Sequence, residues 1–180
     1  MRALLVAVVL SLSVVVAGCG GSKSETTPTQ KWATELCTSV NTWKSSITST
    51  VSSVRQSGVS KNSLKKGVDQ AKTATNKLTD DLRGLGRPNT DAGKEAQSQV
   101  DQFANELDDN VKKVEDSVGN ASDAQSMLSA VSVVGSTVTA MSQQLKSTLT
   151  SLEGLGQGKN EIQQAFQTVP ACKELTASLT

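Results

Sequence analysis

Along four long stretches of this chain, apolar residues recur at spacings of three and four. In the first, Trp32, Leu36, Val40, Trp43, Ile47, Val51 and Val54 fall on one side of a 3.6-residue turn, which predicts an amphipathic helix. Thr27 fits its N-cap, Pro28 its first position and Gln30 the third residue of a capping box, and Ser57-Gly58 ends it. A second stripe, Leu64, Val68, Ala71, Thr75, Leu78 and Leu82, predicts a helix from about Ser60 or Asn62 to Arg83. The small residues in its middle fit either close packing or the wall of a cavity. Gly84-Leu85-Gly86-Arg87-Pro88 reads as its stop and turn.

The third stripe runs from Ala92 through Ala96, Val100, Phe103, Leu107, Val111 and Val114 to Val118, with Asn89 or Thr90 as candidate caps. The fourth is the longest, from Met127 through Val131, Val134, Val138, Met141, Leu145 and Leu149 to Leu152. Ser122-Asp123-Ala124-Gln125 reads as its capping box. A short fifth helix starts near Asn160, carries Ile162, Ala165, Phe166 and Val169, and is kinked or ended by Pro170 before Cys172. No stretch alternates with a period of two. The pattern predicts an all-α fold, an antiparallel four-helix bundle with a short fifth C-terminal helix, because short connections force neighbouring helices to run antiparallel.

The start of the chain is different. One basic residue, Arg2, precedes an apolar run from Ala3 to Ala17, too short for the roughly 20 residues of a spanning helix. Such a run, closed by small residues, describes a secretory leader. The ending Val16-Ala17-Gly18-Cys19 resembles a bacterial lipobox. That resemblance implies diacylglyceryl attachment at Cys19, removal of residues 1–18, and a protein held at the outer face of the cell membrane. Residues 19–26 then read as a flexible Gly/Ser/Thr tether, and 27–180 as the helical domain. With Cys19 assigned to lipid, Cys37 and Cys172 are the remaining cysteines of a chain exported to an oxidising space. A disulfide between them would tie the C-terminal segment to the first helix; two buried free thiols are the alternative.

Composition excludes more than it assigns. Net charge is +1, and loss of Arg2 with the leader leaves the chain neutral, so no nucleic-acid partner is expected. Histidine is absent, which removes Ser–His and Cys–His catalysis, and no lysine sits at an apolar position that would activate a serine. No metal site is expected, since two thiols without histidine leave a tetrahedral site half filled. No cofactor is implied. Gly154-Leu155-Gly156-Gln157-Gly158-Lys159 departs from a phosphate loop at Glu153 and Asn160, and reads as an interhelical turn.

Asp101, Asp108 and Glu115 recur every seven residues on the third helix, opposite Lys61, Lys65, Lys66, Lys72, Lys77 and Arg83 of the second. They read as a solvated acidic face, a candidate interaction surface, with cross-helix pairing to the basic helix expected.

The lipobox, the Trp32…Cys37…Trp43 helix, the Gly84-Leu85-Gly86 turn and the Pro170-Ala171-Cys172 ending together resemble small helical lipoproteins and secreted proteins of actinobacteria. The resemblance implies location and architecture rather than an activity. Two functional expectations follow. The first is a non-enzymatic, membrane-anchored structural or interaction module with an envelope protein partner. The second is a binding module holding an apolar or amphiphilic small molecule between helices. An enclosed apolar volume of a few hundred Å³ would favour the second.

Overall fold

The computed structural model describes residues 26–155 and 161–178. Among them the secondary structure is entirely helical: α1 (Pro28–Gln56), α2 (Lys61–Gly84), α3 (Gly93–Gly119), α4 (Ala124–Gly154), α5 (Glu161–Thr168) and α6 (Pro170–Ala177). The leader, Cys19 and most of the tether lie outside the described residues, as does the glycine-rich segment 156–160. No helix among the described residues is long and apolar enough to cross a membrane.

Capping chemistry sets the starts of three of the four long helices. Thr27 and Gln30 form the expected box on α1: the Thr27 hydroxyl accepts from the Gln30 N–H and the Gln30 side chain accepts from the Thr27 N–H. Ser60 and Ser63 do the same for α2. The box on α4 lies one residue later than the sequence pattern suggested. Asp123 is the cap and Ser126 its partner, because a carboxylate satisfies the Ser126 N–H at 2.8 Å. That bond holds the Asp123 carboxyl below its usual range.

Helix α3 has no side-chain cap, contrary to the assignment of Asn89 or Thr90; it begins behind Ala92. Gly93, its first residue, lies against the Pro88 carbonyl so closely that any Cβ there would sit deep inside van der Waals contact with backbone atoms. Gly93→Ala is therefore expected to lower unfolding stability by about 3 kcal/mol, the upper part of the overpacking range, because backbone cannot yield as a flexible side chain does. Urea titration checks it; an unshifted midpoint would show that the 85–92 turn relaxes freely.

The break expected around Pro170 is present, since α5 ends at Thr168, but the chain continues: Pro170 opens a sixth helix, at the position where its missing N–H costs nothing. Cys172 thus sits inside α6, fully buried, joined to Cys37 of α1 with the two Cα atoms 5.0 Å apart.

Sequential helices pack on each other, α1 on α2, α2 on α3 and α3 on α4, whereas α1 and α4 are not among the pairs in substantial contact. Helices α5 and α6 lie between them, both against α1 and α5 also against α4. Their hydrogen bonds mark how far this cover reaches along α1. Thr29 bonds Glu161, Gln30 bonds Thr168, Asn41 bonds the Ala171 carbonyl and Lys44 bonds the Ser178 carbonyl. Beyond Lys44 the cover stops.

The core follows the cover. A large cluster joins Trp32, Leu36, Val40 and Trp43 to Leu78, Leu82, Phe103, Leu107, Leu145, Leu149, Leu152, Ile162, Phe166 and Leu175. Both indoles are buried, as their positions on the stripe predict. Trp32 Nε1 donates to the Gly86 carbonyl, and Trp43 Nε1 to Thr75 Oγ1. Gly86 adopts a positive φ of 62°, open to glycine without strain. A second, smaller cluster of Leu64, Val68, Val118, Ala121 and Ala130 closes the opposite end. No residue of α1 after Trp43 is fully buried, although Ile47, Val51 and Val54 continue its apolar stripe.

Candidate functional site

Between the two clusters lies an apolar slot of about 420 Å³. Each long helix contributes the continuation of its own stripe. Helix α1 supplies Ile47, Val51 and Val54; α2 supplies Leu64, Val68, Ala71 and Thr75; α3 supplies Val111 and Val114; α4 supplies Val131, Val134, Val138 and Met141. The small middle of the second stripe, Ala71 and Thr75, is here the wall of a cavity. Leu64 to Thr75 and Val131 to Met141 each span about 15 Å at 1.5 Å per residue. The slot is thus long and narrow, with a mean cross-section of roughly 30 Å².

The two ends differ. Thr75, Val111 and Met141 form the inner end, and Thr75, which has no exposed surface, carries the bond from Trp43. Val59, Arg55 and Val131 form the outer end and reach solvent; Val59 is 58% exposed and Leu128, one turn back on α4, is 72% exposed. Large apolar side chains standing in water beside an apolar slot mark its mouth.

Two glycines shape the walls. A Cβ on Gly67 would lie 2.6 Å from Val54 Cγ2, so α1 and α2 touch there without room for a side chain. Gly135 is exposed on α4, borders the slot, and a Cβ there would meet nothing within 4 Å.

The chemistry of the lining is sparse. Arg55 is the single charged residue, and no carboxylate borders the slot. Thr137 is a polar residue of the lining and is nine-tenths buried. There is no acid–base pair and no activated nucleophile in this set. Among the described residues no group of three or more His, Cys, Asp or Glu side chains is placed to hold a metal ion. A second depression, between α1, α2 and α6, is a wide open trough of serine, threonine and scattered charges that encloses nothing.

The acidic residues of α3 are elsewhere. Asp108 accepts from Arg83 at 2.8 Å and Glu115 from Lys72 at 2.7 Å, which ties α3 to α2 as the opposite charge of the two helices anticipates. The bond to Glu115 holds the Lys72 ammonium above its ordinary range. Asp101 is half-buried on the same seam and adds to the field at Arg83. These three carboxylates thus line a helix seam, and two of them already have cationic partners.

Sequence reasoning missed Arg55, Thr137 and Gly135. Only Gly135 carried a signal, as an isolated glycine inside a helical stripe. Compared with models of known protein families, with curated proteins and with solved structures, the chain matches none of them.

Proposed function

We propose that this chain is a non-enzymatic binding module that holds an apolar or amphiphilic small molecule between its helices, tethered to the outer face of the cell membrane through Cys19. In this reading the four long helices form an antiparallel bundle whose α1–α4 seam is filled by α5 and α6 over one half. The slot occupies the other half. The single observation that carries the proposal is that slot: an elongated 420 Å³ apolar volume, within the size range of ligand pockets, lined by side chains from all four long helices. Its lining supplies shape and burial but no proton-transfer group, which favours binding over catalysis.

The membrane location is supported by the lipobox and by the sequence alone. A docking role for Asp101, Asp108 and Glu115 is the weaker reading, since pairing with α2 uses two of the three charges.

The test uses Trp43. In a Trp32→Phe variant it is the single indole, and it is hydrogen-bonded to a residue of the slot's inner end. An alcohol of a twelve-carbon chain, brominated at its far terminus, is expected to quench this emission saturably. The same ligand at about 100 times its Kd should stabilise the protein by roughly 2.7 kcal/mol. Absence of both effects across chain lengths would overturn the binding reading.

A further inference from the structure

We infer that the occupant is a single-chain amphiphile whose anionic head pairs with Arg55 at the outer end of the slot while its chain runs inward toward Thr75 and Met141. This rests on the binding reading above and adds the class of ligand. Three observations converge on it.

The first is width. Roughly 30 Å² of cross-section over about 15 Å of length accepts one extended hydrocarbon chain and leaves no room for a second. At about 30 Å³ per liquid-packed heavy atom, 420 Å³ holds about 14 such atoms, the size of a dodecanoate.

The second is charge. Arg55 is the one formal charge on the lining, so an ammonium head meets repulsion and an anion meets a partner. Its guanidinium has no ion pair or hydrogen bond among the described residues. A planar guanidinium matches a carboxylate or a phosphate bidentately.

The third is polarity along the slot. The head has to stay at Arg55, because an ion moved inward among Val111, Val138 and Met141 would lose its hydration without a charged partner. The exposed end is thus the head end and the buried end the chain end.

The experiment titrates the Trp32→Phe protein, at low salt and below micelle formation, with dodecanoate, dodecyl phosphate, dodecanol, dodecylammonium and the two-chain didodecyl phosphate. Trp43 emission reads binding. At least one single-chain anion is expected to bind about fivefold tighter than the alcohol and tenfold tighter than the ammonium, the modest preference an exposed charge supports. A preference between the two anions identifies the source, a fatty acid for carboxylate or a lysophospholipid-type head for phosphate. Arg55→Gln should bring all single-chain affinities within about twofold of the alcohol's, leaving the alcohol's own unchanged and the circular dichroism spectrum intact. Dodecanol binding without anion preference, or Arg55→Gln weakening every ligand alike, overturns this inference and leaves the slot as a binding site. Didodecyl phosphate binding as tightly as the single chain overturns the one-chain assignment. No binding of any of the five overturns both readings.

Discussion

Replacing both Cys37 and Cys172 by serine is expected to lower the melting temperature by roughly 10 °C. The bond closes a loop with a sequence separation of 135 residues. Restricting the unfolded chain over that distance contributes up to about 5 kcal/mol, with measured values usually below the limit. In a domain of this size each kcal/mol shifts the midpoint by about 2–4 °C. The far-UV spectrum at low temperature should be nearly unchanged, since α5 and α6 keep their buried Ile162, Phe166 and Leu175. What changes is the hold on the seam: without the bond, α6 rests on α1 through packing and a few hydrogen bonds alone. Calorimetry under non-reducing conditions measures the shift. An unaltered midpoint would mean that the wild-type bond restricts an unfolded state that is already compact.

Gly135→Trp is expected to cut amphiphile affinity at least tenfold while leaving stability equal or slightly improved. The position borders the slot and a Cβ there meets nothing within 4 Å, so an indole is accommodated, and on this wall it is expected to take up the ligand's volume. Glycine inside a helix is also less favourable than tryptophan by roughly 0.5 kcal/mol. The combination matters, because lost binding with retained stability separates occlusion from misfolding. Ser136→Trp serves as the control. It adds the same side chain at the next, exposed position, outside the slot, and should bind as the parent does. Equal binding by Gly135→Trp and its parent would place the ligand somewhere other than the slot.

The elements themselves were legible in the chain. The 3.6-residue stripes, the Thr27–Gln30 box and the glycine stops locate all four long helices, and of the two states open to Cys37 and Cys172 the structure shows the disulfide. The slot was not legible, and the reason is physical. A stripe records which side of a helix avoids water, but not what lies opposite. Leu36 and Ile47 are equivalent by periodicity, yet α5 and α6 cover the first and end before the second. Two helices of eight residues each cannot span an α1 of 29, and that mismatch in length, rather than any motif, makes the cavity. The sixth helix is not legible because a proline that follows one helix and a proline that starts the next look alike in sequence. The seven-residue spacing of Asp101, Asp108 and Glu115 fixes a side of α3 but not its neighbour; the opposite charge of α2 supplies that for Asp108 and Glu115.

The disulfide and the slot stand in opposite halves of α1, and this separation has a bearing on how such a chain can change over time. Substitutions around Val51, Val131 or Gly135 fall where little is packed, far from the covalent bond and the large core. They alter what the slot admits while the clamped end continues to secure the fold. Under the proposed binding reading, ligand preference and foldedness rest on different halves of α1, so a substitution that changes the one need not wait for compensating stability in the other.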